Sequence, residues 1–190
     1  MKPCIFLDRD GTIIDEVSYL SSFDQIRFYE DVPASLVQLK AAGYLLLLIT
    51  NQSGVARGYF EAQFVEDTFV RLNEILADYK VQLDGQFYCP HHPIDGNSIY
   101  TKRCNCRKPE PGMIEQACKQ FPVDLTRSFL LGDKLCDMQL AKNTGVKGCL
   151  LKTGHGKEEV EKVTTLLPDT PVFNDFSSAT NHIIHFKGPF

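Results

Sequence analysis

Two carboxylates one residue apart, Asp8 and Asp10 in Asp8-Arg9-Asp10-Gly11-Thr12, follow directly on the apolar run Cys4-Ile5-Phe6-Leu7. In an extended chain such a pair, at i and i+2, points to the same side. Both can therefore face one ligand past the end of the strand, and Gly11 permits the chain to turn just beyond them. With Asp133, in Gly132-Asp133-Lys134, the pair makes an all-oxygen set for a hard cation. Mg²⁺ suits it best, because it binds through one or two carboxylates plus substrate phosphate and keeps several waters. A phosphoryl group also needs donors. Thr50 offers a hydroxyl, Asn51, Gln52, Ser53 and Gly54 offer side-chain and backbone donors that cradle anions, and Lys108 adds a positive charge. Taken singly, each fragment reads as an ordinary polar turn; together they point to phosphate chemistry.

A second candidate metal site spans residues 89–106. Cys89-Pro90-His91 is followed, after a gap of twelve residues, by Cys104-Asn105-Cys106. Three thiolates and one imidazole form a closed tetrahedral set typical of structural Zn²⁺. The intervening loop holds Gly96, Asn97 and Ser98, has little apolar content, and needs a clip to stay ordered. His92 is the neighbour that could replace His91. His155, His182 and His185 have no partners at ligand spacing and read as surface or packing residues.

The elements that must position these groups are legible as alternating patterns. Short apolar runs at Cys4 to Leu7, Tyr44 to Ile49, Gln86 to Tyr88, Ser128 to Leu131 and Gly148 to Leu151 suit strands buried on both faces. Helical patterns lie between them. Asp31 could cap a helix with Pro33 in its first turn and Gly43 at its end. Apolar residues recur along one side from Phe60 to Tyr79, and shorter helices are expected at Met113 to Phe121 and Leu135 to Ala141. Past Leu166 the sequence offers a strand at Pro171 to Phe173 and a helix after Ser177 or Ser178. Alternating strand and helix imply right-handed crossovers and a doubly wound, mostly parallel α/β sheet. In such sheets ligands sit at the carboxyl ends of the strands. The polar clusters at Asp8, Thr50 and Asp133 all follow strands and would converge on that edge.

The chain has 190 residues, 43% apolar, enough for one core rather than two, so residues 1–190 read as a single domain with the loop 89–106 inserted. A net charge of -4, with no basic run longer than a pair, excludes a protein whose main work is neutralising nucleic acid. Asp8 interrupts the N-terminal apolar run too early for a signal peptide, and no stretch is long enough to span a membrane. Seven cysteines, an odd number, argue against a secreted disulfide framework. A cytoplasmic protein is expected.

Asp8-Arg9-Asp10-Gly11-Thr12, Thr50 after its strand, Lys108 before a helix, and Gly132-Asp133-Lys134-Leu135-Cys136-Asp137 resemble, in order and spacing, the four motifs of the haloacid dehalogenase superfamily. The resemblance covers about the first 150 residues. It implies a Rossmann-type fold without a large cap domain and a nucleophilic Asp8 that forms an aspartyl-phosphate. It also implies that Asp10 protonates the leaving oxygen and then activates water, and that Asp8, the Asp10 carbonyl and Asp133 hold Mg²⁺. Two phosphoryl transfers then replace one difficult hydrolysis, with the cation and Lys108 offsetting repulsion between carboxylate and phosphate. The run from Cys104 through Arg107, Lys108 and Pro109 to Met113 resembles the zinc-loop subgroup, and family spacing favours His91 as the ligand.

Within that subgroup the segments at Asp15 to Tyr19, Thr50 to Gly58 and Arg107-Lys108 resemble the heptose bisphosphate phosphatases. The implied substrate is a small sugar bisphosphate, handled by a monomer in nucleotide-activated heptose and lipopolysaccharide synthesis, with the C7 phosphate removed. Two cations at the edge of the site suit two phosphates, and Arg107 could hold the second by a bidentate pair. Arg9, Glu16, Tyr19, Asn51, Gln52, Ser53 and Lys134 are the other expected substrate contacts. Histidinol phosphate is the runner-up substrate, since phosphatases for it share the zinc loop. A noncatalytic zinc-stabilised phosphate binder is the alternative from another class, although a binder has no need of two carboxylates facing an anion. Phosphotransfer to an alcohol is compatible with the motifs.

Overall fold

The computed structural model describes residues 1–96 and 99–186. Six parallel strands form one sheet: β1 (Cys4–Leu7), β2 (Leu45–Asn51), β3 (Gly85–Cys89), β4 (Phe129–Gly132), β5 (Lys147–Leu151) and β6 (Val172–Phe173). Their order is β3-β2-β1-β4-β5-β6. β1 therefore pairs with β2 on one side and β4 on the other, through Phe6↔Leu47 and Phe6↔Leu130 among others. The chain winds outward in both directions from β1, which makes the β1/β4 seam the topological switch point where ligands bind.

Helices cover both faces of the sheet, and the core is accordingly split. Ile5, Leu7, Leu46 and Leu48 face one buried cluster with Leu36 and Leu39 of α1 (Val32–Ala41), Leu72 and Leu76 of α2 (Ala62–Ala77), and Phe176 and Ile183 of α6 (Phe176–Ile184). Phe6, Leu47 and Ile49 face the other. There they meet Met113 and Ile114 of α3 (Gly112–Gln120), Met138 and Leu140 of α4 (Leu135–Thr144), and Val163 of α5 (Gly156–Leu166). Alternate residues of one apolar run supply both faces, which is why these strands read as continuous rather than alternating.

Three expectations change. Helix α5 has no counterpart among the expected elements, although Val160, Val163 and Leu167 mark its apolar side. Its glycine-flanked start and its polar exposed surface mask the period. Asp31 stands at the N-cap of α1 but makes no cap hydrogen bond there. Its Oδ2 instead accepts from Ser177 N at 2.7 Å, so it tethers the start of α6 to α1. Asp175, not Ser177 or Ser178, is the cap of α6, accepting from Ser178 N at 2.8 Å.

Candidate active site

Asp8 leaves β1 at the switch point and is buried, its N donating to the Leu131 carbonyl of β4 at 3.0 Å. Asp133 follows β4, is fully buried, and has neighbours that cannot be other than glycine. Gly11 and Gly154 both have positive φ, and a Cβ on either would run into Asp133 Oδ2. Asp137, on the first turn of α4, packs against Gly132 in the same way, since a Cβ there would meet its carboxylate. The three carboxylates converge, with one oxygen from each within 4.8 Å of the others.

Lys108 is the counterweight. Its Nζ lies 2.7 Å from Asp8 Oδ1 and 2.6 Å from Asp137 Oδ1, and donates to the Ile49 carbonyl at 3.2 Å. Burial opposes its charge, but Asp137 and Asp8 outweigh burial and hold it firmly protonated. Burial also pushes Asp8 upward, yet Lys108 and Lys134 prevail and hold its carboxyl below the usual range. An ionised carboxylate is the form a nucleophile needs. Asp133 goes the other way, pushed up to about 7 by burial and by the charge of Asp8.

Several expected substrate contacts are engaged within the protein. Arg9 is buried and donates from Nε to Asp10 Oδ1 at 3.1 Å and from Nη2 to Gln52 Oε1 at 2.9 Å. Gln52 Nε2 donates to Asp10 Oδ2 at 2.9 Å and to Thr50 Oγ1 at 2.8 Å. Arg9 and Gln52 thus hold Asp10 and Thr50 in register. Asn51 clamps the Lys108 backbone, its Oδ1 accepting from Lys108 N at 3.0 Å and its Nδ2 donating to Lys108 O at 3.3 Å. Glu16 Oε2 accepts from Lys134 Nζ at 3.0 Å.

Asp8, Asp10, Thr50, Ser53, Arg107, Lys108, Lys134, Glu16 and Tyr19 all border one polar cleft of about 230 Å³. A larger, mainly apolar cleft of about 420 Å³ opens by Phe129 and Lys147, at the amino ends of β4 and β5. It is remote from the acidic cluster, and the chemistry belongs to the smaller one.

Sequence reasoning gave no role to Asp137 or to residues 153–155. Asp137 sat within a quoted motif, but its link to Lys108 spans a long stretch of chain and leaves no spacing signal. Thr153 Oγ1 donates to Gly11 O at 2.6 Å, and His155 N donates to Asp133 Oδ2 at 2.9 Å. His155 is exposed, as expected, and its Nε2 lies 3.6 Å from the Oε2 of Glu16, which borders the cleft.

At the end of β3 the second cluster closes. Cys89 Sγ is 3.5 Å from Cys104 Sγ and 3.6 Å from His91 Nδ1, Cys104 and Cys106 Sγ are 3.4 Å apart, and His91 Nδ1 is 3.2 Å from Cys106 Sγ. Ligands about 2.3 Å from a tetrahedral ion stand roughly 3.7 Å from one another, so the four atoms are nearly at ligand separations. Burial and Lys102 lower the His91 pKa and keep its imidazole neutral, as ligation needs. This cluster can hold a metal ion. His91, not His92, is the member, and Asn97 and Ser98 of the expected loop lie outside the described residues.

Residues 105–179 match the family described as "HAD-hyrolase-like". The chain is 46% identical over 181 residues to the D-glycero-beta-D-manno-heptose-1,7-bisphosphate 7-phosphatase of Pasteurella multocida, covering 90% of this chain and 96% of that protein. The chain belongs to the haloacid dehalogenase-like phosphatases. The Escherichia coli K12 protein of the same name is 45% identical over 155 residues, 80% of each chain. In structure, this phosphatase superposes with TM-score 0.84 on the D,D-heptose 1,7-bisphosphate phosphatase of B. bronchiseptica complexed with magnesium and phosphate. That pair is 31% identical over 96% of this chain and 98% of the other.

Membership implies a divalent cation at the acidic cluster, and the residues fit one. Asp133 Oδ1 is buried and finds no hydrogen-bond donor, an arrangement that costs about 1–3 kcal/mol or more unless a cation answers it. Among the described residues no helix of this phosphatase is long and apolar enough to cross a membrane.

Proposed function

We propose that residues 1–190 form one phosphatase domain that removes the C7 phosphate of D-glycero-D-manno-heptose 1,7-bisphosphate through an aspartyl-phosphate on Asp8. The observation that carries the reaction is the Asp8–Lys108 pair beside Asp133, whose orphaned oxygen asks for a cation. Asp8 and Asp133 would hold Mg²⁺, which supplies positive charge against the phosphoryl oxygens.

In the first step Asp8 Oδ forms a bond to phosphorus as the bond from phosphorus to the C7 oxygen breaks, and that oxygen takes a proton from Asp10. In the second, Asp10 takes a proton from water, the water oxygen bonds to phosphorus, and the acyl-phosphate bond breaks. Asp8 is then free again. Thr50 and Lys108 receive the transferring group, with Arg9 and Gln52 keeping Asp10 in place. Ser53, Glu16, Tyr19 and Lys134 border the cleft and serve as its substrate-facing wall.

Arg107 favours a second anionic group on the substrate. It borders the same cleft, and its Nη1 is steadied by the His91 carbonyl at 3.1 Å. Zn²⁺ on Cys89, His91, Cys104 and Cys106 would fix that carbonyl. We place the enzyme as a monomer in the cytoplasm, where reducing conditions keep thiols available for metal. A cationic substrate would be repelled by Arg107, and the relatives' shared name likewise disfavours histidinol phosphate.

The decisive measurement compares heptose 1,7-bisphosphate as both anomers, histidinol phosphate and fructose 1,6-bisphosphate with one preparation. The heptose bisphosphate should lead in kcat/KM by at least about tenfold, which is roughly 1.4 kcal/mol of differential transition-state binding. A lead for histidinol phosphate would sink the assignment.

A further inference from the structure

Arg57, in the loop after β2, touches neither Asp8 nor the cleft, yet the loop 89–106 and the segment carrying Tyr19 both meet it. Its Nη2 lies 2.8 Å from Asp95 Oδ2, in the loop that the cysteine cluster clips. The same nitrogen stands 3.3 Å from His92 Nε2. Because His92 Nδ1 accepts from Asp95 N at 2.8 Å, the neutral ring carries its proton on Nε2, so this approach is packing rather than a hydrogen bond. On its other side the guanidinium lies over the Tyr19 ring, 5.9 Å from the centroid. Tyr59, two residues on, meets the Tyr19 ring edge-on at 4.6 Å and 74°. Tyr19 itself borders the reaction cleft.

The backbone is built for this meeting. Ala56 N donates to Pro90 O at 3.2 Å, which draws the turn carrying Arg57 against the start of the clipped loop. At Gly96 the two segments approach so closely that a Cβ would collide with Ala56 O, and φ there is +112°. An ion pair with a half-exposed Asp95 does little for stability by itself. What the pair does is fix the plane of a guanidinium whose other face is an aromatic ring.

We propose that Arg57 is a positioning residue for substrate selection. Anchored on Asp95, it holds the Tyr19 ring against the part of a sugar bisphosphate remote from the reacting phosphate. The metal-clipped loop thereby sets the shape of the cleft on the Tyr19 side as well as the Arg107 side. This rests on Tyr19 facing the substrate, as proposed above.

The test is steady-state kinetics of the full-length enzyme with Mg²⁺ and Zn²⁺, on heptose 1,7-bisphosphate and on acetyl phosphate, a donor too small to reach Tyr19. Arg57→Ala should raise KM for the bisphosphate about fivefold, in line with loss of a modest cation–π contact, with kcat within about twofold and acetyl phosphate kinetics unchanged, and Tyr19→Leu should raise the same KM at least as much. The double variant should be no worse than Tyr19→Leu alone, because the two act as a unit. Arg57→Lys keeps the ion pair but not the flat face and should behave nearly as Arg57→Ala. Asp95→Asn, on an exposed side chain that folding tolerates, should raise the same KM about twofold. Additive effects, equal losses on both substrates, or wild-type behaviour of Arg57→Lys would each overturn the proposal while leaving the phosphatase reading intact. If Tyr19→Leu leaves the bisphosphate KM untouched, Tyr19 is not at the substrate and the proposal falls with that placement.

Discussion

Asp8 and Asp133 are neighbours with opposite proton affinities, and the contrast has a consequence that can be measured. Asp8 is held ionised by Lys108 and Lys134, whereas Asp133 is pushed up to about 7 by burial and by Asp8. A carboxyl raised from about 3.9 in the unfolded chain binds its proton more tightly when folded. Its contribution to stability is therefore full below pH ~4 and is lost as pH rises through about 7. The metal-free protein should lose stability between pH 5.5 and 8 on this account. Mg²⁺ should restore it, and more at pH 8, where no proton has to be displaced from Asp133. Thermal melts at both pH values, with and without excess Mg²⁺, check this, and Asp133→Asn should abolish the pH dependence of the Mg²⁺ increment. Equal increments at both pH values would refute it. Of these residues, Asp8, Thr50, Lys108 and Asp133 were legible because each is a polar break after an apolar run or beside a proline turn. Asp137 and Arg57 were not, since their partners lie far along the chain and only folding sets the distance.

At the scale of elements, the loop from β5 to α5 works on Asp133 although sequence reasoning gave it no part. Thr153 and His155 bond to Gly11 and Asp133, and Gly154 packs its Cα against Gly11 with φ of +50°. Only a residue without Cβ fits there. Gly154→Ala should push the new methyl into Asp133 Oδ2, weaken Mg²⁺ binding by at least about tenfold, and destabilise the fold by about 1–3 kcal/mol as strain at a left-handed backbone position. Isothermal titration with Mg²⁺ and a denaturant melt would measure both effects. Gly145, also at positive φ but with open space around it, is the control, and Gly145→Ala should leave Mg²⁺ affinity unchanged. The strands were legible because burial on both faces writes a continuous apolar run. Helix α5 was not, because its first turn carries Glu158 and Glu159 between glycine and the first valine, and few of its residues are buried. Asp31 does stand at the N-cap of α1, but the use of its carboxylate was not legible for a related reason. An aspartate before a helix looks like that helix's cap, and the sequence does not disclose a second helix end within reach of its carboxylate.

For the whole molecule, alternation of strand and helix made the doubly wound class legible, but the order β3-β2-β1-β4-β5-β6 depends on pairings between strands far apart in sequence and had to be seen. That order has the cysteine cluster at the end of β3, on the edge of the sheet, while the acidic cluster sits at its centre between β1 and β4. The two candidate metal sites should therefore fail separately. A zinc ion joining Cys89 to Cys104 closes a loop of 15 residues, a constraint comparable to a cross-link worth about 3 kcal/mol. In a chain of this size that corresponds to a fall of roughly 6–12 °C in the melting midpoint. Because His91 O holds Arg107, and Asp95 of the same loop holds Arg57, zinc loss should also raise KM for the bisphosphate. The acidic cluster takes no ligand from this loop, so the Mg²⁺ concentration giving half-maximal rate should stay within about twofold on a small phosphate donor, for which the rim is irrelevant. Zinc can be removed with a thiol-reactive mercurial and a chelator, or avoided with Cys104→Ser, and Mg²⁺ then restored in excess. A melting point unmoved by zinc removal would show that residues 89–106 hold their shape without a metal, and a shifted Mg²⁺ requirement would show that the edge and the centre of the sheet are coupled through β2 and β1.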